Sequence, residues 1–204
     1  MYPETLYPKT KQVLELLSVE NFLSDFYLAG GTALALQLGH RKSIDLDFFS
    51  SSFPDETTLL NALEKFNPTI LNQAPKTLDI LINETKVSFL QYNYPLLEKF
   101  GNHTGVNMAS VIDIACMKIT AISSRGSKKD FVDLYEILKT NSLEKIFLNF
   151  EKKYKNVKYQ KTHLLKSLLF FNDAENDPNP DYMLAQSWDT IKLSLEKAVK
   201  QYLS

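Results

Sequence analysis

Cysteine is nearly absent: Cys116 stands alone among 204 residues, so no internal disulfide can form and a secreted, bridge-stabilised scaffold is set aside. Histidine is scarce too. His40, His103 and His163 are scattered without metal-ligand spacing, which argues against a zinc centre. Neither sign of charge dominates, since 23 Lys and Arg face 24 Asp and Glu, and a net charge of −1 argues against a globally basic nucleic-acid binder. The longest nearly uncharged apolar stretch, residues 26–39, is interrupted by Gly30 and Gly31 and is too short to span a bilayer. The first twelve residues, MYPETLYPKTKQ, lack the apolar core of a signal peptide, and a soluble cytoplasmic protein is expected. Walker A and Gly-x-Gly-x-x-Gly loops are missing, and Ser43 has no histidine placed as its base, so hydrolase chemistry finds little support.

What is present is an ordinary globular composition, 44% hydrophobic and 23% charged. The first half alternates short helical and extended patterns. Residues 10–17 repeat apolar side chains at helical spacing, and the run 26–29, ended by Gly30-Gly31, reads as a buried strand. Helix formers from Thr32 to Leu38 stop at Gly39. Residues 44–49 alternate with the period of a strand, Pro54-Asp55 open a helix to about Phe66, and residues 77–82 and 86–92 read as a hairpin. From Ser110 the pattern becomes helical: residues 111–124 and 128–138, capped by Ser110 and Ser127, then 142–154, 159–171 and 187–203. Residues 173–181, with Pro178 and Pro180, read as a linker. The expectation is an α+β protein with an α/β core over residues 1–105, its mixed sheet flanked by helices. A helical part over residues 106–204 is expected to complete one active-site cleft.

Asp45 and Asp47, two residues apart on a strand, fall on one face about 7 Å apart, while Ile44, Leu46 and Phe48 are expected to face a core. Such a pair suits a divalent cation with oxygen ligands, as Mg2+ prefers, and is equally common on a solvated strand face. Its context sharpens the first reading. Gly30-Gly31-Thr32 sits where a strand meets a helix N-terminus, where backbone N–H groups and the helix dipole attract phosphate. Arg41 and Ser43 precede the acidic strand and can add a guanidinium and a hydroxyl. Further on, Lys118 interrupts an apolar helix stripe, where it either snorkels to water or meets a buried anion. Asp130 and Asp133 share one face of the next helix, which they either charge at its first turn or turn toward a site. Cys116, mid-helix among apolar residues, is expected to be buried packing.

LAGGTALAL (Leu28–Leu36), RKSIDLDFF (Arg41–Phe49) and MKITAISSRGSKKDFVDLYEIL (Met117–Leu138) together resemble the signature of the AbiEii/AbiGii toxin family. That family belongs to the DNA polymerase beta-like nucleotidyltransferase superfamily. The resemblance covers residues 25–140 and implies a polymerase beta-like fold and a metal-dependent nucleotidyltransferase acting as the toxin of an AbiE-like toxin–antitoxin system. It implies Mg2+ or Mn2+ held by Asp45 and Asp47, a nucleoside triphosphate bound by Gly30, Gly31, Thr32, Arg41, Ser43 and Lys118, and Asp130 facing the active site as a base. The implied acceptor is RNA, with tRNA 3′ ends foremost, and a cognate antitoxin is an implied partner. The superfamily usually adds a third carboxylate on a neighbouring strand. Ser88 stands at the corresponding place here, and Asp79 is the nearest substitute. A catalytically degenerate nucleotide- or partner-binding module and a small-molecule nucleotidylyltransferase are the alternatives.

Charge is also unevenly spread. Residues 115–169 carry 12 basic and 5 acidic side chains. Lys152, Lys153, Lys155, Lys158 and Lys161 crowd the densest part, interleaved with Tyr154 and Tyr159, and are expected to hold RNA.

Overall fold

In the computed structural model, which describes residues 1–204, a seven-stranded mixed sheet takes its strands from residues 27–108, reaching a few residues past the expected boundary at 105, and helices follow from residue 111. The chain divides into two compact units, one made of residues 1–95 and 99–109, the other of residues 96–98 and 110–204.

In the first unit, α1 (Pro8–Ser18) opens with proline at its first turn, where the missing N–H is not needed. Strand β1 (Tyr27–Ala29) is wholly buried and runs straight into α2 (Gly30–Leu38), which Gly39 ends in the left-handed conformation at φ +70°. Then come β2 (Leu46–Ser50), α3 (Glu56–Leu63), β3 (Thr69–Ala74), β4 (Thr77–Ile82), β5 (Thr85–Gln91), β6 (Gly101–His103) and β7 (Val106–Met108). The sheet order is β3-β4-β5-β2-β1-β7-β6, with β2 parallel to β5 and antiparallel to β1. Leu28, Leu46, Phe48, Val87 and Phe89 are buried completely, and Phe48 stacks on Phe89 at 5.5 Å. Asn83 and Glu84, both at positive φ, close the β4–β5 hairpin with the twist that two-residue turns favour.

In the second unit, α4 (Val111–Ser124) is the central helix, packed against α5 (Lys128–Leu138), α6 (Leu143–Lys153) and α7 (Lys161–Ser167). A short turn, α8 (Asn172–Glu175), and a terminal helix, α9 (Trp188–Leu203), lie against α5. Ser110, Ser142 and Ser187 cap their helices by accepting from the backbone N–H three residues on. Ser127 precedes α5 as expected, but its hydroxyl turns to the Asp130 carboxylate instead.

Several expectations need correction. Ile44 is 56% exposed: the strand begins only at Leu46, so the in-and-out alternation does not reach back to Ile44. The helix expected over 159–171 covers only Lys161–Ser167, because Phe171 leaves the helical path to pack on Phe131 and Trp188 at 5.1 and 5.8 Å. Residues 173–181 are not all linker; α8 occupies the start and buries Ala174. Strand β3 went unseen because its residues are exposed on both faces and show no alternation, and β6 and β7 are three residues each.

Candidate active site

The first corner is made by the turn from β1 into α2. Gly30 takes φ +67°, a conformation that side chains strain to adopt, and a Cβ on it would stand 2.7 Å from Asp47 Oδ2. A side chain on Gly31 would run into the Arg41 guanidinium, which is itself buried. The two glycines thus let a carboxylate and a guanidinium close against the first turn of α2, whose leading N–H groups have no partner within the helix. Thr32, buried, is hydrogen-bonded to Ser43 Oγ at 2.8 Å and to the Asp45 carbonyl oxygen. Gly30, Gly31, Thr32, Arg41, Ser43, Asp45 and Asp47 are therefore brought together, although Asp45 lies one residue before the strand and Asp47 within it.

The amino-terminal segment fixes this loop, and nothing in the sequence reading singled it out. Tyr2 N donates to Leu36 O at 2.8 Å, Ser43 N donates to Thr5 O at 2.9 Å, and Leu6 pairs with Ser43 in a parallel bridge. Thr10 Oγ1 donates to Ile44 O at 3.0 Å. Thr5 and Thr10 are buried by these contacts, which join segments roughly thirty to forty positions apart and leave no local signal in the sequence.

Across the sheet, Asp47 is in register with Ser88 on β5, and Ser88 with Asp79 on β4. Register partners share a face, so Ser88 occupies the strand position beside Asp47. Asp79 stands two strand spacings away, about 10 Å, beyond the reach of a shared cation. It is held by Asn72 Nδ2 at 3.2 Å and lies 4.0 Å from Lys86 Nζ. A Mg2+-type cation fits the donors present. Asp45, Asp47 and Ser88 offer oxygen only, and no cluster of three His, Cys, Asp or Glu exists to enclose a metal in an all-protein cage. One or two carboxylates with phosphate and water completing the shell is the set Mg2+ favours.

The second constellation lies within the helical unit. Lys118 Nζ sits between two fully buried carboxylates, 2.9 Å from Asp130 Oδ1 and 2.5 Å from Asp133 Oδ2. Lys118 meets buried anions, and these are the protein's own. Asp130 also accepts from Arg125 Nε at 2.8 Å, Arg125 Nη2 at 3.0 Å and Ser127 Oγ at 2.8 Å. Burial pushes its carboxyl up, but the Lys118 ammonium and the Arg125 guanidinium outweigh that and hold it down to about 2. So low a value makes Asp130 a weak base, and the geometry gives it another task, holding Lys118 and Arg125 in place.

Asp113, in the first turn of α4, repeats the theme. Fully buried, it pairs with Lys153 at 2.7 Å and accepts from Ser110 Oγ and Leu97 N. This corrects part of the expected RNA surface: Lys153 is sealed inside, and so is Tyr154, tilted on Phe150 at 4.5 Å. Lys161 bonds Glu151 at 2.9 Å and lies over the Tyr202 ring. Lys152, Lys155 and Lys158 are exposed. Cys116 is buried as expected, and burial pushes its thiol up to about 12, so it is inert packing.

Comparison with known proteins identifies the family that carries this arrangement of Asp45, Asp47 and the Gly-Gly start of α2. The family described as nucleotidyl transferase AbiEii toxin, type IV TA system, matches residues 12–95 and 76–203, and the chain belongs to that family. It is accordingly a nucleotidyltransferase of a toxin family. An uncharacterized protein of Aquifex aeolicus (strain VF5) is 37% identical over 210 residues, covering 97% of this chain and 98% of the relative. Among solved structures, the nucleotidyltransferase toxin MenT4 of Mycobacterium tuberculosis H37Rv superposes with a TM-score of 0.58 at 14% identity, over 95% of this chain and 84% of that one. JHP933 of Helicobacter pylori gives 0.56 at 18% identity, over 93% and 89%. These likenesses show a shared fold. No helix is long and apolar enough to cross a membrane.

Proposed function

We propose that the protein transfers a nucleoside monophosphate from a nucleoside triphosphate to RNA, as the toxin of an AbiE-like toxin–antitoxin pair with a cognate antitoxin as partner. The observation that carries this reading is the corner where Asp47 closes on Gly30 and Arg41 on Gly31 at the start of α2. It offers an anion two kinds of donor, backbone N–H groups and a guanidinium. It offers a cation carboxylate oxygens a short step away. Asp45 and Asp47 hold Mg2+ or Mn2+, which when bound neutralises phosphate charge. Gly30 and Gly31 admit the triphosphate to the backbone, Arg41 pairs with its oxygens, and Thr32 with Ser43 keeps the loop before β2 in position. The acceptor oxygen forms a bond to the α-phosphorus as pyrophosphate leaves, and the chain accelerates this by positioning and charge neutralisation. With Ser88 beside Asp47, no third carboxylate assists the nucleophile from β5.

Within the helical unit, Asp130 orients Arg125 and Lys118, and Asp133 completes the neutralisation of Lys118. The acceptor is assigned to the exposed Lys152, Lys155 and Lys158, whose contacts to phosphates hold RNA without reading its sequence.

Incubation with each labelled nucleoside triphosphate, Mg2+ and total RNA tests the reading directly. Label is expected in a discrete RNA band with release of pyrophosphate. Pyrophosphate release without RNA labelling turns the acceptor into a small molecule, and binding without release leaves a nucleotide-binding module. Changing Lys152, Lys155 and Lys158 together to Gln is expected to flatten the salt dependence of RNA binding by a slope of about 2 to 3, with triphosphate binding unchanged.

A further inference from the structure

A chain of five aromatic rings begins on the sheet face that carries Asp47. Phe49 lies two residues beyond Asp47 on β2, so its side chain leaves the same face about 7 Å further along. Its ring stacks on Tyr27, its register partner on β1, with centroids 6.0 Å apart and planes 27° from parallel. Tyr27 continues to Phe100 at 5.4 Å. On the other side Phe49 meets Tyr92 at 5.5 Å, and Tyr92 meets Tyr94 at 4.8 Å. The neighbouring aromatics Phe48 and Phe89 alternate to the opposite face and are wholly buried. Phe49, Tyr92 and Tyr94 are only half-buried, and Phe100 is 42% exposed. Tyr27 is buried between them, but a second hydrophobic core would have closed over the other four rings as well; instead these keep access to solvent beside a carboxylate.

Aromatic rings left in reach of water suit a flat partner. Every nucleobase has a π-face that stacks on Phe or Tyr regardless of its identity. In a nucleotide one ribose separates the phosphate from the base, a span comparable to the step from Asp47 to Phe49. We propose that Phe49, Tyr92 and Phe100 form a stacking platform for a nucleobase whose ribose-phosphate end lies at Asp47. The inference rests on the nucleotidyltransferase reading of Asp45 and Asp47 and adds to it a base subsite. The base belongs either to the donor nucleoside triphosphate or to the terminal nucleotide of the RNA acceptor, and the chemistry is the same for both.

Binding measurements on the full chain with Mg2+ separate these cases, using three probes: inorganic tripolyphosphate, each of the four nucleoside triphosphates, and a short oligoribonucleotide without a triphosphate. Phe49→Leu keeps apolar volume and removes the ring, and Phe49→Tyr restores it. Phe49→Leu is expected to weaken a base-bearing probe about tenfold, with tripolyphosphate affinity unchanged and Phe49→Tyr near wild type. Loss confined to a nucleoside triphosphate assigns the donor base, and loss confined to the oligonucleotide assigns the acceptor base. Unchanged affinity for both kinds of probe overturns the platform while leaving the phosphate site standing. Wild-type protein that binds neither tripolyphosphate nor any nucleoside triphosphate overturns the underlying reading, and the platform with it. Should Phe49→Leu fail to fold, Phe100→Ala at the exposed end of the line gives the same comparison.

Discussion

Asp47 and Asp130 are both aspartates in motifs shared with one family, yet the two units treat them oppositely. Asp47 is half-buried on a strand, pressed against a glycine at a helix start. Asp130 is fully buried and takes four hydrogen bonds from Lys118, Arg125 and Ser127. A carboxylate that keeps access to solvent can bind an incoming cation, because the exchange replaces water by ligand. A carboxylate neutralised inside the fold has already made its interactions, and removing one partner exposes the other to the full penalty of burial. The helical unit spends much of its charge on its own architecture. Of the 12 basic side chains in residues 115–169, Lys118, Lys128 and Lys153 are buried.

That contrast is open to breakage at both ends. The largest effect is expected at Asp47: Asp47→Asn should lower pyrophosphate release by about a hundredfold to a thousandfold, in the range seen for losing a key electrostatic group, with a thermal midpoint close to wild type. Activity that survives in a folded Asp47→Asn protein would remove it from the site.

Lys118→Met should act the other way, on the fold. It leaves Asp130 and Asp133 buried without their shared ammonium, which costs about 3–5 kcal/mol and lowers the thermal midpoint by roughly 10 °C. A lysine that only snorkelled would be replaced by Met with no loss, so an unchanged melting curve would contradict the buried pairing.

Acid should find the same weak point. The Asp130 carboxyl in the folded protein lies near 2, below its ordinary value of 3.8. Its contribution is therefore complete above about pH 4 and fades as the pH falls through about 2, worth roughly 2 kcal/mol in all. Urea unfolding at pH 5 and pH 2.5 should show this loss in wild type and a smaller one in Asp130→Asn.

The mildest prediction concerns Gly31→Ala. The new methyl displaces only the far end of Arg41, a flexible side chain, so stability should change by less than about 1 kcal/mol. The triphosphate loses a charge-assisted contact, and its KM should rise about tenfold. Equal KM values would mean that Arg41 does not touch the nucleotide.

Local signals were readable wherever a residue's own chemistry decides the outcome. Gly39 ends α2, Asp55 opens α3 by accepting from Thr58 N at 3.0 Å, and Ser110 caps α4, all at the expected places. The Gly-Gly, Arg-x-Ser and Asp-x-Asp motifs also announced which residues would gather near α2. Invisible in sequence were the contacts between distant segments: the clasp of Tyr2, Thr5 and Leu6 on residues 36–43, the line of rings from Phe100 to Tyr94, and the edge strand β3.

The same division governs charge. Sequence determined which side chains carry charge and that lysine crowds residues 152–161, because ionisation belongs to the residue. Only the tertiary structure decided that Lys153 turns inward to Asp113 while Lys152 stays in water, and that Lys118 is claimed by two aspartates twelve and fifteen positions away. Burial and pairing depend on which helices meet and at what rotation, and neighbouring residues on one helix can face opposite environments.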